Sequence, residues 1–274
     1  MFLENYKFSK MKISILVDNI PGTHTLAEHG LSYLVEYKSH KILFDTGQSD
    51  LFLRNSEIMN LDTKDVDQII LSHGHFDHGN GLNYINGGAL ICHPTCFSKR
   101  FRRYGDTYIG LKNDETDIRE KFDLRTTVEP HEIFEGAYFL GEIPRITDFE
   151  SQTTNFVFED YTSDYVLDDS ALALVLDSGV FVITGCGHAG IVNILEHAKK
   201  VTGISTIAGI MGGFHLKEIN IQTQKTIEYL KENKVKHVYP SHCTASIVTK
   251  EFGKHFEAPE VKTGETFVFE ENIN

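Results

Sequence analysis

Apolar and polar positions alternate with period two over Lys12 to Asp18, where Ile13, Ile15 and Val17 share a face. The alternation returns over Leu31 to Tyr37 and over Lys41 to Asp45. It marks half-buried strands, and Lys38-Ser39-His40 between the last two reads as a hairpin turn. Leu51, Phe52, Ile58 and Met59 form a stripe that predicts a helix over Ser49 to Met59. A short strand follows at Asp67 to Leu71, a helix start at Gly81 to Ile85, and strands at Ala89 to Cys92 and Ala137 to Leu140. Ala171 to Leu176 and Val180 to Thr184, joined by Asp177-Ser178-Gly179, predict a hairpin. Beyond it, helices at Ile191 to Val201, Asn220 to Asn233 and near Ile247 alternate with strands at Thr206 to Ile210, Val235 to Tyr239 and Thr266 to Phe269. This order predicts an α/β protein, a mixed sheet with helices outside. No linker rich in Pro, Gly or Ser divides the halves. The expectation is one domain over 1–274, with an insertion or lid near 97–135. Within it, Asp114 to Asp123 reads as an acidic loop that pairs with the basic run before it. Most of the five acidic residues in Glu159 to Asp169 (Glu159, Asp160, Asp164, Asp168 and Asp169) are expected to be exposed.

Composition narrows the class. The 274 residues are 41% hydrophobic and 24% charged, enough to bury a substantial core. A net charge of -13 argues against a broad nucleic-acid or anionic-membrane surface. No stretch approaches the ~20 apolar residues of a membrane span, and Met1 to Lys10 lacks the apolar core of a signal peptide. Four cysteines, Cys92, Cys96, Cys186 and Cys243, are too few for a disulfide scaffold and read as free thiols in a reducing cytoplasm. A homo-oligomer is left open.

The chemistry concentrates in Leu71-Ser72-His73-Gly74-His75-Phe76-Asp77-His78-Gly79-Asn80-Gly81. In an extended segment His73, His75 and Asp77 share a side, and His78 turns to a neighbouring direction. One short loop can feed two adjacent metal positions, His73 with His75 and Asp77 with His78. Imidazole and carboxylate ligands suit zinc, with manganese or iron as alternatives. Three further predicted strand ends carry histidine: Gly185 to His188, Gly212 to His215, and Ser241-His242. Chemistry collects at the carboxyl ends of strands in α/β sheets, so these ends are expected to converge. His24 and His29 read as surface or rim histidines.

The H-x-H-x-D-H loop resembles the metal loop of the metallo-β-lactamase superfamily of hydrolases. Asp45-Thr46-Gly47 and the strand-end histidines follow in the superfamily's order. Thr184-Gly185-Cys186-Gly187-His188-Ala189-Gly190-Ile191, Gly212-Gly213-Phe214-His215-Leu216 and Pro240-Ser241-His242-Cys243-Thr244 are similar to the branch called 7,8-dihydropterin-6-ylmethyl-4-(β-D-ribofuranosyl)aminobenzene-5'-phosphate synthase. The resemblance implies a four-layer αββα sandwich with one or two zinc ions at one edge. It implies His73, His75 and a later histidine, His188 with His215 as rival, on the first metal. Asp77, His78 and His242 would hold the second, with Asp45 supporting the loop from behind. Many superfamily members carry a bridging aspartate after a strand-Thr-Gly step. Here Gly185-Cys186 stands there, so either Cys186 approaches as thiolate or the bridge is absent.

The expected activity is hydrolysis of an ester, phosphoester or related small anion by a metal-bound hydroxide. Asp77 would orient the water or take its proton, and His215 would protonate the leaving group. The alternatives are a pterin-phosphate conjugate synthase or lyase, and a non-catalytic metal-dependent sensor. The run Lys99-Arg100-Phe101-Arg102-Arg103-Tyr104 reads either as a solvated cationic face or as a rim. As a rim, Arg102 and Arg103 would hold a substrate phosphate while Phe101 and Tyr104 stack on a flat ring.

Overall fold

The computed structural model describes residues 10–270. The reading of residues 1–10 as lacking a signal peptide falls, except for Lys10, outside the described residues. In chain order the elements are β1 (Lys10–Val17), β2 (Ser32–Tyr37), β3 (His40–Phe44), α1 (Leu51–Ile58), β4 (Gln68–Ile70), α2 (Phe76–Gly79), β5 (Ala89–Cys92), β6 (Arg100–Arg102), α3 (Glu115–Lys121), β7 (Asp123–Thr126) and β8 (His131–Phe134). There follow β9 (Ala137–Phe139), β10 (Phe156–Phe158), β11 (Ala171–Leu176), β12 (Gly179–Thr184), α4 (Ile191–Thr202), β13 (Ile207–Gly213), α5 (Ile221–Glu232), β14 (His237–Ser241), α6 (Ser246–Phe252) and β15 (Thr266–Glu270).

The strands form two large sheets, ordered β15-β1-β2-β3-β4-β5-β7 and β14-β13-β12-β11-β9-β8, and a ribbon of β6 with β10. Period-two patterning sorts side chains to opposite faces. On β2, Tyr33, Val35 and Tyr37 join the central core, and Leu34 joins the outer one. The central core lies between the sheets, where Ile13, Phe44 and Tyr33 are grouped with Phe139, Leu172, Phe181 and Met211. Outside one sheet, Leu43, Ile69 and Leu90 pack with Phe52 of α1 and Ile118 of α3. Outside the other, Val182 and Ile210 pack with Ile194 and Leu195 of α4, Leu230 of α5 and Phe252 of α6. The layers are therefore α, β, β and α, as the resemblance implied.

Three expectations change. Asp114 to Asp123 is not a loop. Asp114 caps α3 through a reciprocal box with Asp117, and Arg119 pairs with Glu115 one turn earlier. Local capping and an i,i+4 ion pair supply what the weak apolar pattern did not show. Of the five acidic residues in Glu159 to Asp169, most are not exposed: Asp164, Asp168 and Asp169 are fully buried. Pairing of β10 with β6 brings Arg100, itself without exposed surface, against Asp164 and Asp168. Finally, Asn80–Tyr84 is a tight 3-10 turn rather than the start of a longer helix. Residues 97–135 are woven into both sheets, since β7 is an edge of one and β8 an edge of the other.

Candidate metal centre

Strand carboxyl ends build the site. Asp45 follows β3, the His73 loop follows β4, Cys186 and His188 follow β12, His215 follows β13 and His242 follows β14. Two glycines permit the close approach. A side chain at Gly74 would overlap the backbone carbonyl of Cys96, and one at Gly185 would overlap Ser72. Asp45, His215 and His242 hold left-handed backbone angles, φ +56°, +50° and +48°. Such strain in non-glycine residues clusters where geometry serves function.

His73, His75 and His188 form one group, with one donor atom of each within 4.8 Å of the others. His73 Nε2 lies 3.0 Å from His75 Nδ1. The Nε2 atoms of His75 and His188 are buried and have no hydrogen-bond partner among the described residues. Burial lowers the pKa of all three rings, for His75 to about 3, where Arg100 adds to the effect. The rings are held neutral, as a metal ligand must be. His215 belongs to no such group among the described residues. Its ring lies 4.3 Å from that of His188 and lines the cavity. Between the two rivals, the geometry brings His188 to His73 and His75.

Asp77, His78 and His242 form the second group. His78 Nε2 is 3.1 Å from His242 Nε2, and Asp77 Oδ2 is 3.7 Å and 3.5 Å from these nitrogens. Tetrahedral ligands ~2.1 Å from an ion stand ~3.4 Å apart, so the spacing fits. The tautomers fit as well. His78 Nδ1 donates to Asp45 Oδ2 at 2.7 Å, and His242 Nδ1 donates to Asn19 Oδ1 at 3.0 Å. With Nδ1 of each ring donating, the two Nε2 atoms face each other, and a cation, whether a metal ion or a proton, is needed between them. Burial lowers the His78 pKa, but Asp77 and Asp45 outweigh it and lift it to about 9. Until an ion binds, a proton takes its place there.

Asp45 lies behind both groups. Its Oδ1 accepts from Ser72 N and its Oδ2 from Ser72 Oγ, each at 2.7 Å, and Ser72 Oγ accepts in turn from His73 Nδ1 at 2.9 Å. Other supports were not read from the sequence. Asp18 accepts from His242 N at 3.2 Å and from Tyr33 Oη at 3.0 Å. Asp168 accepts from Gly74 N at 2.7 Å and from Arg100 Nη1 at 2.9 Å, so Arg100 braces the histidine loop from behind. His29, set aside as a rim residue, reaches Asp77 Oδ2 with Nε2 at 3.1 Å and could complete a set with Asp77 and His242. A carboxylate just after a strand end was the one signal available for Asp18.

The groups open into a cavity of about 620 Å³. The basic run divides around it. Lys99 pairs with Glu159 on the surface, and Arg103 Nη2 donates to Ser163 Oγ at 2.7 Å, away from the cavity. Arg102 lines the cavity, and its guanidinium makes no hydrogen bond or ion pair among the described residues. Phe101 instead packs on Tyr108, and Tyr104 is exposed. The cavity's aromatic walls are Phe76, Phe149, Phe156 and Tyr165. The expected stacking of Phe101 and Tyr104 on a flat ring is not supported, since neither lines the cavity.

The two sheets with outer helices, and side-chain groups at one edge that could hold metal ions, define an αββα protein. The chain belongs to the metallo-β-lactamase superfamily, whose members bind metals and whose family model matches residues 26–87. It is 31% identical, over 94% of its length and 97% of the relative's, to the 7,8-dihydropterin-6-methyl-4-(beta-D-ribofuranosyl)-aminobenzene-5'-phosphate synthase of Methanocaldococcus jannaschii. It is 34% identical, over 85% of its length and 90% of the relative's, to the uncharacterized protein MJ0448 of the same organism. Among solved structures it resembles Tm1679, described as a metal-dependent hydrolase of the beta-lactamase superfamily, with TM-score 0.84 and 28% identity over 95% of this chain and all of that one. A diphosphatase of the PhnP family shares the fold at TM-score 0.53 and 13% identity, over 94% of this chain and 98% of that one. No helix among the described residues is long and apolar enough to cross a membrane.

Proposed function

We propose that the protein is a metal-dependent hydrolase of a small anionic ester or phosphoester. His73, His75 and His188 would hold one ion, and Asp77, His78 and His242 a second. The observation that carries this reading is the convergence of His78 Nε2 and His242 Nε2, 3.1 Å apart, on Asp77, with Asp77 and His242 lining an open cavity. A divalent metal bound there supplies a Lewis acid and an acidified water at neutral pH. Zinc suits the donor set best, with manganese or iron as substitutes.

The chain's own residues supply the rest. Burial raises the Asp77 pKa, but His78, His242 and His29 outweigh it and hold it well below the usual carboxylate range. Asp77 is thus ionised at neutral pH and able to ligate an ion or to orient a water by accepting its hydrogen bond; so low a pKa makes it a weak proton acceptor. His215 lines the cavity and would be the group to protonate a leaving group, although burial lowers its pKa and favours the neutral ring at neutral pH. Arg102 would receive the anionic end of the substrate, and the aromatic walls its flat part. Arg103 has no such access.

A second reading, synthesis of a pterin-phosphate conjugate, is favoured by the M. jannaschii synthase, which matches almost end to end. Metal analysis followed by turnover separates the readings. The protein should carry one to two equivalents of zinc, manganese or iron. Loaded with Zn²⁺ or Mn²⁺, it should cleave members of a panel of chromogenic phosphomonoesters, phosphodiesters and carboxylic esters. Condensation of a pterin donor with a ribosylaminobenzene phosphate, without cleavage of any ester, would favour the synthase. Metal bound without turnover of either kind would favour a sensor.

A further inference from the structure

Two cysteines meet across the strand that separates their own. Cys186 follows β12 and Cys243 follows β14, and β13 runs between these strands. Gly213 at the end of β13 makes the meeting possible. A Cβ there would stand 2.6 Å from Cys243 Sγ and 3.1 Å from Cys186 Cα. Without it, Cys243 Sγ reaches across to donate to the Cys186 carbonyl at 3.4 Å. The two sulfurs lie within 4.8 Å of each other, in one set with a ring nitrogen of His242. Both are free thiols.

Both also belong to the wall of the cavity that holds the ligand groups. The other two cysteines differ. Cys92 and Cys96 have no exposed surface and line no part of that cavity. Packing is the whole account of such thiols. A pair that shares an open wall is within reach of small solutes as well. A neighbouring thiol is what turns a first oxidation into a disulfide.

We propose that Cys186 and Cys243 form a reversible redox site, closed to a disulfide by hydrogen peroxide and reopened by thiols. Cys243, the more exposed of the two at 8% against 4%, attacks first. Its S–H bond and the O–O bond break, its sulfur takes one oxygen as a sulfenic acid, and one water leaves. Cys186 Sγ then attacks that sulfur. The S–O bond breaks, the Cys186 proton leaves with the oxygen as a second water, and the S–S bond forms. The two sulfurs together give up two electrons and the peroxide takes them. The bond brings the sulfurs to ~2.05 Å, and rotation of both side chains about their Cα–Cβ bonds supplies the approach.

The disulfide touches the ligand groups from both ends. Cys186 Sγ lies 3.3 Å from His78 Nε2 and shares a set with His73 and His78. Cys243 follows His242 in the chain. Closing the bond draws Sγ off His78 and ties the loop that carries His242 to the end of β12. Metal affinity should therefore fall on oxidation. This consequence, unlike the bond itself, rests on the metal centre proposed above.

The test treats the full chain, freed of metal by a chelator, with hydrogen peroxide. Remaining thiols are alkylated and the peptides mapped by mass spectrometry. The expected product is a linked pair of peptides carrying Cys186 and Cys243, parted by dithiothreitol, with Cys92 and Cys96 still reduced. Zinc affinity, read by competition with a chromogenic chelator, should fall about tenfold or more and recover with dithiothreitol. Cys243→Ser, or Cys243→Ala where serine prevents folding, should give no link. The redox site is overturned if both thiols stay reduced while free cysteine is oxidised, if they take up oxygen without linking, or if Cys92 and Cys96 link instead. A link with unchanged zinc affinity overturns its control of the centre. If the reduced protein binds no metal, the centre itself falls, while the peptide map still decides the disulfide.

Discussion

Asp45 Oδ2 accepts a 2.7 Å hydrogen bond from His78 Nδ1, and neither side chain has exposed surface. This bond fixes one ring proton on Nδ1, away from the cavity, and turns Nε2 toward His242. The same oxygen receives Ser72 Oγ, which orients His73. One carboxylate therefore sets the tautomer of a ligand in each group.

Asp45→Asn should keep the fold, because Asn tolerates the left-handed angle found at Asp45. It loses one of the two acceptor oxygens. Metal affinity should fall about 10–100-fold, the usual cost of removing a partner behind a ligand. Competition with a chromogenic chelator measures it. Unchanged affinity would show that the histidines need no such support.

Asp77→Asn should reduce turnover more than it reduces thermal stability. An amide is a poorer ligand and cannot take a proton at neutral pH. Parallel measurement of kcat and Tm on the same preparation checks this. Full activity would remove Asp77 from the chemistry.

Metal affinity should rise with pH between about 6 and 9. The folded, metal-free chain holds the His78 pKa at about 9, above the ordinary 6.5. Protonated His78 stabilises that form fully below pH 6.5, and the contribution is lost as pH rises through about 9. An ion must displace the same proton, so its apparent affinity should gain about tenfold per pH unit across this window. The Tm difference between zinc-loaded and chelated protein should widen from pH 6 to pH 9. A constant difference would contradict the assignment of Nε2 as ligand.

Arg102→Ala should raise KM for phosphorylated substrates by an amount equivalent to about 1–3 kcal/mol, the loss of a charged hydrogen bond. Arg103→Ala should change it little, because that guanidinium is turned to Ser163. Metal content should stay the same in both. Equal losses for neutral and phosphorylated analogues would end the role given to Arg102.

Arg100→Met should destabilise the fold by about 3–5 kcal/mol, since it strands Asp168 as an unpaired buried carboxylate. Urea unfolding reads the loss. A loss below about 1 kcal/mol would mean that Asp168 finds water or a proton instead.

The sequence by itself determined the strands and the main helices, because period-two alternation and apolar stripes are local properties. It also determined the His73 to His78 loop, because four donor side chains within six residues cannot be separated by folding. Strand ends carrying His188, His215 and His242 were legible for the same reason. Tertiary structure decided which of them meet. His188 rather than His215 reaches the first group because β12 and β13 end at different places around the cavity. The split of the basic run was likewise hidden. Adjacent Arg100, Arg102 and Arg103 look alike as sequence, but pairing of β6 with β10 buries one against Asp168, leaves one at the cavity and turns one to Ser163. Asp18 and Asp45 act on residues far along the chain, Asp18 on His242. Such partnerships depend on how two sheets pack face to face, and no local pattern records that.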